Sequence, residues 1–209
     1  MEPHRIEYDV DGLVDANLAP DPVDQFTLWF DEALAAELPE ANMMTLATVD
    51  SLGMPDARVV LLKEHGQDGF VFYTNYASIK AEQLAAHPYA TLVFHWQPLH
   101  RQVRISGTVE KVDPEQSDAY FASRPRGSQL AARASRQSVP IADRRILLER
   151  YDEEAQRWAG ADVPRPDDWG GYRLIPRRFE FWQGQVNRMH DRIRYTPSEA
   201  GWSIDRLSP

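Results

Sequence analysis

Short runs rich in Val, Leu, Phe and Thr, separated by turn-forming clusters, constrain the fold of this chain more than any other feature. The clusters Asp50-Ser-Leu-Gly53 and Gly66-Gln-Asp-Gly69 are short enough to join neighbouring antiparallel strands. Strands are predicted over 43–49, 56–63, 70–74, 90–96, 102–112, 171–174, 179–183, 187–195 and 202–205. This succession predicts a mainly β (α+β) protein with peripheral helices, whose antiparallel strands close into a Greek-key-like barrel rather than a doubly wound parallel sheet.

Helical spacing of apolar residues predicts the peripheral helices. One helix should begin at Pro22, capped by Asp21, with Val23 and Phe26 on its buried face. Further helices are predicted over 78–87, 114–123, 128–134 and 141–158. Residues 1–20 are polar and carry no apolar period, so we expect a mobile N-terminal arm followed by a single domain over 21–209.

The composition narrows the function classes. The 209 residues are 43% hydrophobic and 26% charged, as in a soluble globular domain. No apolar run is long enough to span a membrane, no signal peptide pattern opens the chain, and cysteine is absent, so we expect a cytoplasmic protein. A net charge of −9 argues against nucleic-acid binding. Basic residues are nevertheless clustered in motifs, which favours a small anionic ligand.

The densest basic cluster lies in the stretch Phe181-Trp-Gln-Gly-Gln-Val-Asn-Arg-Met-His-Asp-Arg-Ile-Arg-Tyr195. If a strand follows Gly184, its alternation places four side chains on one face: Arg188, His190, Arg192 and Arg194. Guanidinium forks suit phosphate or carboxylate, and an imidazole between them can hydrogen-bond or stack on a ring. The alternative is a solvated strand face paired with acidic residues.

Phosphate must be held here by side chains and a helix start, because the chain has no glycine-rich nucleotide-binding loop. Ser78 and Lys80 lie at a predicted helix N-terminus, where free amides point outward. Arg58 and Lys63 flank an apolar strand, and their odd separation puts them on opposite faces unless the strand bulges. They would then serve different ligands, or be two surface charges. No carboxylate pair or metal-ligand cluster appears, which suits hydride transfer with a bound cofactor.

Taken together, these motifs resemble the pyridoxine/pyridoxamine 5′-phosphate oxidase family. The resemblance runs in order from about Arg5 to Pro209 and covers nearly the whole chain. It is carried by Arg58-Val-Val-Leu-Leu-Lys63, Phe72-Tyr-Thr-Asn75, Arg101-Gln-Val103, Tyr120-Phe-Ala-Ser-Arg-Pro-Arg126, Arg136-Gln-Ser138, Trp169-Gly-Gly171, Phe181-Trp-Gln-Gly184, Arg188-Met-His-Asp-Arg192 and Asp205-Arg-Leu-Ser-Pro209.

The resemblance implies a split β-barrel homodimer with FMN at the subunit interface. The flavin contacts that it implies are Arg58, Val59, Val60, Leu61, Leu62, Lys63, Tyr73, Thr74, Ser78, Lys80, Gln102, Gln137, Ser138, Trp182 and Arg192. The family often has arginine between the serine and lysine of the helix start, where this chain has Ile79. One charge-assisted contact to the flavin phosphate, which that arginine would make, is therefore not expected in this chain.

The resemblance also implies a substrate site and a reaction. Its substrate contacts are Arg5, Tyr8, Lys63, Tyr120, Arg124, Ser128, Arg188 and His190, and the N-terminal arm would close over the substrate. Arg188 and His190 would be catalytic, holding the substrate ring over the flavin. Pyridoxamine and pyridoxine 5′-phosphates would be oxidised to pyridoxal 5′-phosphate, with oxygen giving hydrogen peroxide and the amine releasing ammonia. No nucleic-acid, membrane or metal partner is expected.

Two alternatives keep the fold and change the function. One is a split-barrel flavin oxidoreductase with another chemistry, as in phenazine-pathway oxidases or deazaflavin-using reductases. Lys63, Tyr120, Arg124 and Arg188-Met-His190 argue for a phosphorylated pyridine and against this alternative. The other is a non-catalytic binder of pyridoxal phosphate, in which Ile79 would mark a decayed flavin site.

Overall fold

The computed structural model describes residues 12–13 and 17–209 as an antiparallel sheet with helices around it. The strands are β1 (Met43–Val49), β2 (Pro55–Leu61), β3 (Glu64–Gly66), β4 (Gly69–Asn75), β5 (Tyr89–Trp96), β6 (Arg101–Lys111), β7 (Trp169–Gln183), β8 (Asp191–Ser198) and β9 (Gly201–Arg206). The helices are α1 (Pro22–Ala35), α2 (Ile79–Ala86), α3 (Pro114–Ser123), α4 (Arg126–Ala134) and α5 (Arg144–Arg157). Short 3₁₀ turns lie at Gln97–Leu99 and Val186–Arg188.

The sheet curls around a single aromatic core. Its strand order is β2-β1-β5-β6-β7-β4-β3, with β8 added to β7 and β9 to β8. The ring of Phe26 on α1 lies 5.0 Å from Phe70 on β4 and 5.0 Å from Phe94 on β5. Because β6 and β7 stand between β5 and β4 in the sheet, one helix can reach both rings only if the sheet bends around it. The predicted antiparallel barrel is confirmed.

Helix α1 forms where the sequence predicts it. The Asp21 carboxylate accepts a hydrogen bond from the Val23 N–H at 2.7 Å, and Pro22 occupies the first turn. The helix buries Val23, Phe26 and Trp29 against the barrel. A second apolar cluster lies under α3, α4 and the loop between α5 and β7. It consists of Phe121, Leu130, Val163 and Trp169.

Strand β7 is longer than the sequence predicts. The predicted strands over 171–174 and 179–183 are parts of one strand, which pairs with β6 from Tyr172 to Gln183. The ladder shifts register between Ser106 and Gly107, opposite Pro176 and Arg178, so Arg177 is the extra residue of a bulge. A Cβ at Gly107 would lie 2.0 Å from the Ile175 carbonyl oxygen, so only glycine fits there.

The strand predicted over 187–195 is wrong at its start. Strand β8 begins at Asp191, and Val186–Arg188 is a 3₁₀ turn in which Asn187 and Arg188 have positive φ values of 54° and 61°. Arg188 and His190 therefore do not share a strand face with Arg192. Asn187 tolerates the left-handed conformation, and the Gly184 break precedes it, which are turn signals that the alternation obscured.

The predicted N-terminal arm lies mostly outside the described residues, so its mobility stays a prediction. Within the described part, the Leu13 N–H donates to Asp191 at 3.0 Å, and the Tyr195 hydroxyl donates to the Ala19 carbonyl at 2.9 Å. Leu18 packs against the barrel core. Among the described residues, no helix combines the length and apolar character that crossing a membrane requires.

Candidate functional site

A cavity of about 700 Å³ opens between β2, β4 and the helices α2, α3 and α4. Strands β2 and β4 are far apart in the sheet order, and the curl of the barrel brings them to the same opening. We call its lining the cavity group: Arg58, Val59, Val60, Leu61, Lys63, Tyr73, Thr74, Asn75, Lys80, Tyr120, Arg124, Pro125, Ser128, Ala132, Ser135, Gln137 and Trp169. Twelve of the predicted ligand contacts are in this group.

Lys80 is the most buried cation of the cavity lining. Its ammonium donates to Gln137 at 2.8 Å and to Ser78 at 3.2 Å, and the residue is only 9% exposed. Burial, and then repulsion from Arg58, lowers the pKa of Lys80 to about 8. The Gln137 carbonyl oxygen accepts from both Lys80 and Thr74, at 2.8 and 3.0 Å. The Gln137 amide N–H groups are therefore directed away from Lys80 and remain as donors.

Arg58 is fixed by polar neighbours that the sequence did not single out. Its guanidinium donates to the Thr48 hydroxyl at 2.5 Å, to Asp56 at 2.6 Å and to Gln83 at 2.9 Å. Hydrogen bonding from Gln83 and the charge of Arg58 hold the pKa of Asp56 below its usual range. Arg58 and Lys63 line the same cavity, because β2 ends at Leu61 and the Lys63 N–H bonds to the Val71 carbonyl of β4. The prediction that Arg58 and Lys63 lie on opposite faces of one strand is therefore wrong, because Lys63 lies beyond the end of β2.

Aromatic rings and two more cations form the other part of the cavity. The rings of Tyr73 and Tyr120 stack at 3.9 Å, and Trp169 lies 5.5 Å from Tyr73. The Arg124 guanidinium sits 4.7 Å above the Trp169 ring, and the Lys63 ammonium is 5.9 Å from the Tyr120 ring.

One guanidinium nitrogen of Arg124, Nη1, is buried and has no hydrogen-bond partner in the part of the chain that the structure describes. Buried donors are rarely left unpaired, and this one lines the cavity. Its need for an acceptor, together with Lys63 and the Ser128 hydroxyl, suits an anionic oxygen group.

Tyr73 contributes to the cavity through its ring. Its hydroxyl donates to the Glu64 carboxylate at 3.1 Å, and Glu64 also accepts from Gln116 at 2.8 Å. Burial and the Glu64 charge raise the pKa of Tyr73 above its ordinary value. The hydroxyl of this predicted flavin contact thus already has a hydrogen-bond partner.

Three predicted cofactor contacts lie beside the cavity rather than in its lining. Leu62 is 4% exposed in the barrel core, and the buried Ser78 hydroxyl donates to the Asn75 carbonyl at 2.7 Å while it accepts from Lys80. The Ser138 hydroxyl accepts from the Ile79 N–H at 3.3 Å, at the start of α2. The Ile79 side chain itself is 49% exposed.

The remaining predicted residues form a second set, which we call the strand group: Gln102, Trp182, Arg188, His190 and Arg192. Gln102 on β6 is opposite Trp182 on β7, and Trp182 is opposite Arg192 on β8. The His190 ring lies 4.7 Å from the Trp182 ring. None of the strand group lines the cavity.

Hydrogen bonds orient the side chains of His190 and Arg192 in the strand group. The Gln185 N–H donates to Nδ1 of His190 at 3.0 Å, so the neutral ring carries its proton on Nε2. The Arg192 guanidinium donates from Nε and Nη2 to one Glu180 oxygen, at 3.0 and 2.9 Å, and from Nη1 to the Ser208 carbonyl at 2.9 Å. Glu180 and Ser208 were not predicted, because only the strand pairing and the chain end bring them to Arg192.

The two groups stand at opposite ends of β7. Trp169 belongs to the cavity group and Trp182 to the strand group, and both are on this one strand. Thirteen residue steps at about 3.3 Å each place them roughly 40 Å apart along the strand path. Arg5 and Tyr8, the other predicted substrate contacts, lie outside the described residues. No cluster of acidic or histidine side chains that could hold a metal occurs within 12–13 and 17–209.

A split antiparallel barrel with a basic, ring-lined cavity defines the class of this protein, and comparison with known proteins gives its family. A model described as pyridoxamine 5′-phosphate oxidase matches residues 30–158, and one described as the pyridoxine 5′-phosphate oxidase C-terminal dimerisation region matches residues 169–209. The chain belongs to the pyridoxine/pyridoxamine 5′-phosphate oxidase family and is an oxidoreductase.

Relatives and solved structures agree with this assignment. Pyridoxine/pyridoxamine 5′-phosphate oxidases from Bordetella petrii and Synechocystis are 55% and 51% identical, each over 98% of this chain and 97% and 96% of the relative. The crystal structure of PhzG from Burkholderia lata, in complex with tetrahydrophenazine-1-carboxylic acid, has a TM-score of 0.89 at 28% identity, over 96% of this chain and 99% of PhzG. An FMN-binding protein from Nostoc punctiforme shares the fold, with a TM-score of 0.72 at 18% identity over 92% and 99%.

Proposed function

We propose that this protein is an FMN-dependent oxidase that converts pyridoxamine and pyridoxine 5′-phosphates to pyridoxal 5′-phosphate. The observation that carries the proposal is the cavity, which offers cations at two places, around Lys80 and around Arg124, with stacked rings beside the second. A phosphorylated flavin and a phosphorylated pyridine together need this arrangement: two seats for phosphate and apolar faces for rings.

The donors around Lys80 fit the flavin phosphate. Lys80, Arg58 and Thr74 are held by side-chain hydrogen bonds before any ligand arrives, so little ordering is needed when phosphate binds. The Ser78 hydroxyl accepts a hydrogen bond from Lys80, and the Gln137 amide can donate N–H groups to the phosphate. Bound FMN would supply the redox chemistry, accepting a hydride from the substrate and passing electrons to oxygen.

The donors around Arg124 fit the substrate phosphate. Lys63, Arg124 and Ser128 line one part of the cavity. The Lys63 ammonium lies near the ring of Tyr120, which is stacked on the ring of Tyr73. The unpaired Arg124 nitrogen gains its missing acceptor when a phosphate oxygen binds. This phosphate seat favours pyridoxine and pyridoxamine phosphates over the carboxylated tricycle that PhzG carries in its complex.

The strand group would complete the site from the partner subunit of a homodimer. The two groups stand at opposite ends of β7 and none of the strand group lines the cavity, so the two groups of one chain serve different sites if both bind ligand. Match to the dimerisation region over 169–209 supports this arrangement, since it includes Trp182, Arg188, His190 and Arg192. In the proposed site Arg188 and His190 hold the substrate ring against the flavin, and His190 donates from Nε2. The proposal keeps the expectation of a cytoplasmic enzyme.

Mixed dimers test the proposal. Arg124→Ala inactivates the cavity group and Arg188→Ala the strand group, so each homodimer alone should turn over poorly. After dissociation and reassociation of an equal mixture, about a quarter of the parent oxygen consumption should return, because half of the dimers are mixed and each has one intact site of two. Absence of any recovery, with flavin bound and mixed dimers present, would refute the two-chain site. Absence of turnover in the parent with either phosphate would refute the activity.

A further inference from the structure

Asp191, which follows His190, has no role in the site described so far, and neither does Arg206, in the C-terminal Asp205-Arg-Leu-Ser-Pro209. They are joined to each other and to the N-terminal segment. The Arg206 guanidinium contacts one oxygen of the Asp191 carboxylate and donates from Nη2 to the Leu13 carbonyl at 2.7 Å. The other Asp191 oxygen accepts from the Leu13 N–H at 3.0 Å.

From this closed network, we propose that Asp191 and Arg206 form a clamp that docks the N-terminal segment beside His190. Both backbone polar groups of Leu13 are held, the N–H by a carboxylate and the carbonyl by a guanidinium, as a strand would hold them. Bonds to charged partners are stronger than neutral ones, so two such bonds fix a single peptide unit firmly. Asp191 is therefore a positioning residue that acts on the substrate side of the site through its neighbour.

The close fit of Gly12 supports docking at this point. A Cβ added to Gly12 would lie 2.8 Å from the Asp191 carboxylate and 3.5 Å from the Gln185 side-chain nitrogen. The carboxylate cannot retreat freely, because Arg206 and the Leu13 N–H both hold it. A methyl group at position 12 would thus separate the segment from the clamp.

Gln185 links the clamp to His190. Its backbone N–H fixes the His190 ring through Nδ1, at 3.0 Å, while its side-chain nitrogen is buried near Gly12 without a hydrogen-bond partner among the described residues. The His190 ring is therefore held by the hydrogen bond from Gln185, and its backbone is held by the neighbouring Asp191, which the clamp fixes. Undocking the segment would loosen both neighbours of His190 and weaken substrate positioning, and it leaves the cavity group untouched.

Amide exchange of Leu13 tests the clamp directly, in the full-length FMN-loaded protein. Arg206→Ala and Asp191→Asn should each speed exchange at Leu13 by about tenfold or more, because protection requires the bond that they weaken. Asp205→Asn is the matched control: it breaks the 2.9 Å pair with Arg194 on the same β8–β9 hairpin and does not touch the segment. Unchanged Leu13 exchange in Arg206→Ala, or equal change in the control, would overturn the clamp.

Turnover tests what the clamp does, and this part rests on the proposed function. Arg206→Ala should raise KM for pyridoxine 5′-phosphate by about three- to tenfold while FMN affinity stays unchanged. Gly12→Ala should do the same, and the double variant should be no worse than either single one, because both undock the same segment. Additive effects, or loss of FMN, would overturn the positioning role. If the parent protein shows no turnover, only the proposed function is refuted, because amide exchange at Leu13 still tests the clamp.

Discussion

The cavity group and the strand group differ in how their side chains are held. In the cavity group, the side chains of Lys80 and Arg58 bond to residues from distant parts of the chain, such as Gln137 and Thr48. In the strand group, backbone ladders place Gln102, Trp182 and Arg192 side by side, a tight turn presents His190, and the side-chain partners of Arg192 come from the adjacent strand and the chain end. A single substitution in the cavity can therefore disturb several polar groups, whereas one in the strand group should act locally.

The largest expected effect is a loss of turnover without a loss of FMN when residues of the strand group are replaced. Replacing Arg188 or His190 with Ala should lower turnover by about a hundredfold, because lost positioning alone costs that much, while FMN content stays the same. Oxygen consumption and flavin absorbance of the same preparations measure both quantities. Equal loss of flavin would show that the turn at 186–190 serves the cofactor instead.

A substitution within the cavity should separate its two phosphate seats. Lys63→Ala should raise KM for pyridoxine 5′-phosphate by about ten- to a hundredfold, since a charged hydrogen bond contributes roughly 1.5–3 kcal/mol, and FMN should remain bound. Arg126→Ala is a useful control, because Arg126 bonds to the Trp158 and Ala161 carbonyls outside the cavity lining. An unchanged KM in Lys63→Ala would make this lysine a surface charge.

The pKa of Lys80 predicts a pH dependence that only the cavity group should show. With a pKa of about 8, Lys80 of the free protein is charged below pH 8 and becomes neutral above it. The phosphate of FMN is already a dianion at pH 7, so affinity should fall as pH rises, by about tenfold between pH 7 and pH 9 if the bound lysine stays charged. In Lys80→Arg the dependence should disappear, because arginine does not titrate in this range. A parent profile as flat as that of the arginine variant would contradict the assignment.

Ile79 gives the smallest expected change. Its side chain is 49% exposed at the start of α2, so an arginine fits without burial of its charge. Ile79→Arg should tighten FMN binding by up to about tenfold, and high salt should weaken the variant more steeply than the parent. Titration of both flavin-free proteins measures this. No gain in affinity would mean that the seat around Lys80 is complete without a further cation.

Much of the fold was predictable because local signals and tertiary structure agree. Strand β1 and helix α3 occur at the predicted residues, Met43–Val49 and Pro114–Ser123. The turn at 186–188 was not predictable from alternation, since Arg188 adopts a positive φ that arginine rarely takes. Strand β3 is only three residues long and carries no period of its own.

The sequence predicted many of the residues that line the cavity, but not the residues that hold their side chains in place. The motifs named Arg58 and Arg192, whose chemistry is visible in the sequence. Asp56, Gln83 and Glu180 hold those guanidiniums, but each is an ordinary polar residue until the sheet and α2 bring it to its partner. Supports of this kind depend on tertiary distance, which neither spacing nor composition records.

The length of β7 also limits how this chain can change. Because Trp169 and Trp182 lie on one strand, an insertion or deletion between them alters the distance between the cavity group and the strand group. A change of one residue would in addition turn every later side chain to the opposite face, unless another bulge like that at Arg177 absorbed it. Length variation within residues 169–183 should therefore come in pairs of residues or be accompanied by a bulge.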